Sequence, residues 1–228
     1  MARTAAAKAD SKMAAGKSPA AGRTRANDPD ATRADIIEVA LKEFADKGLS
    51  GARIDEIAEQ TRTSKRMIYY YFESKEGLYR AVLEECYRRI RSIETKLDLE
   101  HLPPLEALRL LVASTFDYQD AHPDFIRLVM VENINHGEHI SQLSNFGALN
   151  AGVIEQIEHI CARGVAAGVM REGIDPVDLH MTISALCFFN VSNRYTFSRI
   201  FRLNMGSRAA LKARRESVAE LVVRSVLA

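Results

Sequence analysis

The chain has 228 residues, 47% of them hydrophobic, and 31 Lys and Arg against 30 Asp and Glu give a net charge of +1. That length allows one or two domains with an ample core, and without a run of about 18 apolar residues no membrane span is expected. The alanine-rich N-terminus lacks the apolar core of a secretory signal, and Cys86, Cys161 and Cys187 are far apart without CxxC spacing, as buried thiols in a reducing cytoplasm would be. Proline is sparse and no stretch alternates apolar and polar residues for long, so the expected class is all-α. The charge is unevenly placed: residues 1–80 carry 15 Lys and Arg against 12 Asp and Glu, whereas the remainder is acidic by two.

Residues 1–27 hold Arg3, Lys8, Lys12, Lys17, Arg23 and Arg25 against Asp10. Such a segment lacks the apolar mass to fold and is read as a disordered basic arm. It could add phosphate contacts or enter a minor groove; equally, it could be a solubilising leader. The first helix is expected from Asp28-Pro29, an N-cap followed by proline at the first helical position. Ile36, Ile37, Ala40, Leu41 and Phe44 form its buried stripe and Gly48 is placed to end it. Short helices near 53–60 and 64–71 follow, then a long one from Lys75 to about Leu97. At ~1.5 Å per residue it would span roughly 35 Å, a connector between a head (28–74) and a body (75–228). Pro103-Pro104 opens a helix to about Asp120, and His122-Pro123 opens the next. Helices near 123–134, 140–166, 176–203 and 208–227 complete the reading, the 176 start marked by Asp175-Pro176.

Residues 53–78, RIDEIAEQTRTSKRMIYYYFESKEGL, point to a function. Ile54, Ile57 and Ala58 share one face of a short helix, and Ile68 and Phe72 share one face of the next. Ser64 stands at an N-cap position. Lys65, Arg66, Met67 and Tyr70 are then left on the side away from Ile68 and Phe72. Cations and tyrosines presented together on such a helix suit a helix-turn-helix reading DNA. Ile57-Ala58, Thr63-Ser64, Tyr69 to Phe72 and Ser74-Lys75-Glu76-Gly77-Leu78 resemble the signature of the tetracycline-repressor (TetR/AcrR) family of bacterial transcriptional regulators. Two positions depart from it: Arg62 occupies the usual turn glycine, and Arg53 a common threonine. Either the turn is reshaped or a strained left-handed Arg is tolerated. The DNA-contacting set expected here is Arg53, Thr63, Ser64, Lys65, Arg66, Met67, Tyr69, Tyr70, Tyr71 and Lys75. Tyr69, Tyr71 and Lys75 are assigned to packing or phosphate rather than to bases.

The resemblance implies a homodimer on double-stranded operator DNA, paired through the last two long helices, about 176–203 and 208–227. Leu211, Val218, Leu221, Val222 and Ser225 supply a narrow stripe for that seam, or else close the monomer's own core. It also implies a body that binds a small organic effector and then releases a palindromic operator. The SNRYTF ending looks like a subgroup often encoded beside catabolic genes for aromatic or N-heterocyclic acids. Asn133, His136, Phe146, Phe188 and Asn190 are the expected effector-lining residues, an apolar and polar mixture suited to a pocket. Asparagines bonding across the dimer and phenylalanines in the core would give the same pattern. Glu132, His136 and His139 have the i, i+4, i+7 spacing of metal ligands, but Gly137 interrupts that face and no metal is expected. A helical enzyme would have to use His122, His136 and His139. With no GxSxG, phosphate loop or HExxH, no catalysis and no cofactor are expected. A DNA-binding scaffold without an effector would share the same head and lack a closed, partly polar cavity.

Overall fold

Several helix starts in this chain are set by side-chain caps that can be named. The computed structural model describes residues 28–144 and 146–228, so the basic arm expected over 1–27 lies outside the described residues. Asp28 accepts the N–H groups of Asp30 and Ala31 at 3.1 and 3.2 Å and starts α1 (Pro29–Gly51). Ile36, Ile37, Ala40, Leu41 and Phe44 form its buried stripe, as read from the sequence. Gly48 adopts φ 66°, breaking the helix one turn before its end. The head continues with α2 (Ile54–Thr61) and α3 (Lys65–Phe72), then α4 (Lys75–Glu94) leads into the body. Ser64 and Ser74 cap α3 and α4, accepting from Met67 N–H at 3.2 Å and Gly77 N–H at 2.9 Å.

The body comprises α5 (Pro104–Ala121), α6 (Pro123–Ile134), a 3-10 turn at Ile140–Gln142, α7 (Phe146–Ala166), α8 (Pro176–Ser192), α9 (Arg194–Phe201) and α10 (Arg208–Ser225). Among the described residues there is no strand beyond a lone bridge between Met170 and Leu227. Helix α5 is central and packs on α4, α6, α7, α8 and α10, while α1 packs on α2, α4 and α6. Apolar side chains gather in two clusters. One joins the head helices to Tyr118, Phe125, Ile126 and Leu128; the other joins α5, α7, α8 and α10. All three cysteines are buried, and burial pushes the Cys86 and Cys187 thiols up to about 12, so neither is a nucleophile at neutral pH.

Two long helices of the sequence reading are divided. The 176–203 segment breaks at Asn193 (φ −104°, ψ 5°), where α8 hands over to α9 without glycine or proline. The 140–166 segment begins as a helix only at Phe146. Before it, His136 and Gly137 both take left-handed conformations that end α6. The stripe on α10 also divides: Val218 and Val222 are buried in the monomer core, whereas Leu221 is 50% exposed.

The tightest backbone approach is at Gly77, where an added Cβ would stand 2.0 Å from the carbonyl oxygen of Phe72. Neither partner is the flexible end of a side chain, so Gly77→Ala must separate α3 from α4. We expect a loss of ~2 kcal/mol or more, seen as a lower urea midpoint with an unchanged m-value.

Candidate functional site

In the head, Ile57 and Ile68 are fully buried and Phe72 nearly so, which fixes the roll of α3 against α2. Arg66 and Tyr70, which lie across the helix from Ile68 and Phe72, therefore face outward, with Tyr70 76% exposed, and Met67 on the flank is half-buried. Arg62 takes φ 53°, ψ 31°, and Thr63 N–H bonds to Ala58 O at 3.1 Å. This is the hydrogen-bonded helix ending that normally uses glycine; the turn is not reshaped, and Arg bears a cost of ~1–2 kcal/mol. No ion pair engages Arg62 or Arg66 among the described residues.

Lys65 is placed differently from Arg66. It lies on the flank of α3 nearer α2, where its ammonium group pairs with Asp55. Asp55 is also 3.9 Å from Arg53, which lacks a side-chain cap and donates its backbone N–H to buried Glu43 at 3.0 Å. Tyr71 is half-buried against Phe72, and Tyr69 is exposed. Lys75 donates to Ser50 O at 3.3 Å, tying the first turn of α4 to the end of α1.

In the body, α4 to α8 line a partly open cavity of about 220 Å³. Its walls include Tyr87, Ile90, Phe125, Ile126, Val129 and Phe188. Its polar groups are Arg91 and Glu94 of α4, Thr115 and Gln119 of α5, Asn150 of α7, and His180 and Ser184 of α8. His180, Ser184 and Phe188 recur every four residues, one helical stripe turned inward. Arg91 and Glu94 approach to 2.6 Å with side chains only 11% and 3% exposed. Their alignment is poor: Nε and Nη1 of Arg91 and Oε2 of Glu94 have no hydrogen-bond partner, nor has Oε1 of Gln119. Burial pushes the Glu94 carboxyl up to about 7, against the opposing pull of Arg91. Burial, reinforced by Arg91, holds His180 down to about 4, so this imidazole is neutral near pH 7. A second hollow of about 380 Å³ lies between residues 95–100 and α7. Its Arg163 is already committed to the carbonyls of Leu99, Glu100 and Leu102.

These two features fit what the chain is similar to. The family described as "Bacterial regulatory proteins, tetR family" matches residues 36–82, and "Tetracyclin repressor-like, C-terminal domain" matches 104–222. The HTH-type transcriptional repressor NicS of Pseudomonas putida is 37% identical over 186 residues, 82% of this chain and 88% of NicS. The chain belongs to the TetR family of bacterial transcriptional regulators. An HTH-type transcriptional repressor of Streptomyces coelicolor is 38% identical over 170 residues, 71% of this chain and 79% of that protein. FadR from Bacillus subtilis, solved in complex with stearoyl-CoA, superimposes with a TM-score of 0.61 at 20% identity, covering 83% of this chain and 97% of FadR, a likeness of fold. TetR-family proteins are DNA-binding regulators rather than enzymes, and this chain is read as one.

Within this TetR-family body the expected lining residues scatter. Phe188 lines the cavity, and Phe146 stands behind it, edge-on to Tyr87 with ring centres 4.7 Å apart. Asn190 is buried with an unpartnered Nδ2, on the α8 face that carries Ile183 and Cys187. Asn133 and His136 stand apart from the cavity. Both are exposed at the end of α6, where Asn133 donates to Val129 O at 2.8 Å and the chain reverses. Glu132 and His139 do meet, at 3.3 Å, but His136 does not join them, and no three potential metal ligands gather among the described residues. Sequence reasoning missed Arg91, Glu94, Gln119, His180 and Ser184. The four-residue repeat of His180, Ser184 and Phe188 was the available signal.

The two titrating cavity groups act oppositely on stability. Glu94 is raised from 4.5, so the folded state holds its proton longer than the unfolded state, and stability falls as pH climbs from 4.5 to 7. His180 is depressed from 6.5, so its contribution is complete above 6.5 and is lost as pH falls toward 4. In the ligand-free protein, Glu94→Gln should therefore leave stability rising with pH between 4.5 and 6.5. His180→Phe should leave it falling between 4.5 and 7. Urea midpoints taken at half-unit pH steps would reveal slopes of opposite sign.

Proposed function

We propose that this chain is a cytoplasmic, homodimeric repressor that covers a two-fold operator and leaves it when a small organic effector fills the cavity between α4 and α8. The observation carrying this reading is the run of α4. It begins beside the reading helix at Lys75 and ends in the cavity with Tyr87, Ile90, Arg91 and Glu94. FadR, with bound stearoyl-CoA, is precedent for a ligand-holding body on this fold. Here the cavity, about 220 Å³, is smaller than the ~300–1,000 Å³ of drug-sized ligand sites, which favours a compact effector with an aromatic part. No membrane-spanning helix is found among the described residues.

Arg66, Met67 and Tyr70 are proposed to enter the major groove, with Arg66 as the base-reading cation, and Arg53, Arg62, Thr63, Ser64, Lys65, Tyr69, Tyr71 and Lys75 to position the head on the backbone. Arg66→Ala should lose ~1–3 kcal/mol of discrimination against altered operators. Lys75→Ala should weaken all sequences alike and lower the salt slope by about one unit. Unchanged operator selectivity in Arg66→Ala would remove that assignment.

Dimerisation is proposed through α8, α9 and α10. Phe189, Tyr195, Ile200, Phe201 and Leu221 are all exposed there, and clustered exposed apolar side chains mark interaction surfaces. Leu221→Glu would trap a carboxylate against the mate's apolar face. Sedimentation should then show monomer with the helical circular-dichroism signal kept. Induction is tested by operator release with extracts of cells grown on different carbon sources. Ser184→Phe, which fills the cavity, should hold the operator normally and ignore the extract that releases the unmodified protein. Release that persists in Ser184→Phe would place the effector elsewhere, and a protein insensitive to every extract would be a ligand-free regulator.

A further inference from the structure

Resting on the cavity being the effector site, we infer that its effector is a small carboxylate anion that takes the place of Glu94 on Arg91, Glu94 accepting a proton from solvent as it is displaced.

Charge balance between two buried side chains decides what this cavity can hold. Arg91 and Glu94 are the two charged side chains lining the cavity, and both are buried. Arginine does not give up its proton in proteins, so Arg91 always needs a counter-charge. Glu94 is the exchangeable member, because a carboxylate can become a neutral acid. An entering anion can thus leave the cavity neutral: Arg91 keeps a negative partner, and one solvent proton bonds to a Glu94 oxygen. An entering cation has no matching route, since pairing with Glu94 would strand Arg91.

The resident pair also leaves capacity unused. Nε and Nη1 of Arg91 lack hydrogen-bond partners despite the 2.6 Å approach of Glu94. A free carboxylate can meet a guanidinium along its edge with two parallel bonds, which Glu94, three residues away on the same helix, does not achieve. The groups that face Glu94 permit the proton uptake. Tyr87 of α4 and Tyr118 of α5 are both held in the phenol form by burial, and His180 of α8 is neutral. Thr115 and Gln119 of α5, Asn150 and Gln156 of α7 and Ser184 of α8 carry no charge, and α6 contributes only Phe125, Ile126 and Val129. Burial raises the Glu94 carboxyl to about 7, so it takes up a proton more readily than an exposed glutamate does.

The test is calorimetric titration of the intact protein with benzoate, phenylacetate and hexanoate, each beside its carboxamide, at pH 8 in two buffers of different ionisation enthalpy. At least one acid should bind at least tenfold more tightly than its amide and take up close to one proton per subunit. Its affinity should fall about tenfold per pH unit above pH 7. In Glu94→Gln the same acid should bind more tightly, with both the proton uptake and the pH dependence gone. If that variant fails to fold, the proton count of the unmodified protein decides alone. Amides binding as well as acids, acids binding without proton uptake, or no binding by any of the six would overturn the inference. Operator release by a neutral compound that Ser184→Phe abolishes would overturn this inference while leaving the effector site in place. Proton-coupled binding of an acid without operator release would do the reverse.

Discussion

The contact between Gly77 and the Phe72 carbonyl determines how much of the rest can work. A reading helix is useful only if its outward residues are held at a fixed angle to the body. Here the backbone of α4 lies directly on the end of α3, with no side chain between them to yield. Ser74 caps α4 within that junction, and Ser74 N–H bonds to Phe72 O at 2.7 Å. Glu73, between them, is forced to φ 65°. Non-glycine residues occupy such conformations at a cost of ~1–3 kcal/mol when the surroundings over-determine them. Two such residues, Arg62 and Glu73, bracket the eight-residue reading helix. Its orientation is therefore set at both ends by backbone rather than by long side chains.

Three buried carboxylates show how differently the same group can be used. Glu43 accepts Arg53 N–H and Lys47 Nζ, both at 3.0 Å, and fastens α1 to the start of α2. Glu132 accepts the N–H groups of His139 and Ile140 at 2.7 and 2.9 Å and holds the reversal after α6. Both are satisfied, and each does a structural job. Glu94 is as deeply buried, but its Oε2 lacks an aligned donor. Burying a charge costs several kcal/mol unless geometry and hydrogen bonding offset it. The Arg91–Glu94 pair is thus held by proximity and burial, without the aligned hydrogen bonds that fasten Glu43 and Glu132. The distinction rests on hydrogen-bond satisfaction, not on burial, which is nearly equal in the three.

The same distinction marks how far the sequence could be read. Start signals were local, so Asp28-Pro29, Ser64, Ser74 and Asp175-Pro176 gave the right helix starts. The stripe from Ile36 to Phe44 and the roll of α3 followed from period alone. Breaks were harder to read where the breaker was a permissive residue: Asn193 ends α8 without glycine or proline, and His136 turns left-handed just before Gly137. The cavity was nearly illegible. Arg91 and Glu94, three apart on a helix, read like any solvated ion pair, and only the packing of α5, α7 and α8 over them removes the water. Asn133 and His136 drew attention as polar residues after an apolar run, yet that pattern also marks a helix reaching the surface, which is what α6 does. The stripe of α10 was legible as apolar but not as divided, because Leu221 and Val222 are neighbours whose different fates depend on where α5 lies.

The two clusters of apolar side chains do not separate head from body cleanly, and this bears on how occupancy of the cavity could reach the DNA. The cluster containing Phe44, Ile57 and Ile68 also contains Phe125, Ile126 and Leu128 of α6. Phe125 and Ile126 at the same time line the cavity. Arg127, on the same helix, bonds Asp46 of α1 at 2.5 Å, and Arg89 of α4 bonds Glu38 of α1 at 2.9 Å. Thus α1 rests on two helices, α4 and α6, that both contribute to the cavity wall. Packed interiors resist continuous deformation, so a ligand that changes the spacing of α4 and α6 must re-seat α1 upon them. The reading helix is tied to α1 through α2 and to α4 through Gly77, and it would turn with whichever seat is adopted. A ligand can bias those seats only by the difference in its affinity for them. The exchange at Arg91 offers such a difference, because both members of the ion pair belong to α4 while the uncharged polar groups lining the same cavity, Thr115, Gln119 and Ser184 among them, belong to α5 and α8.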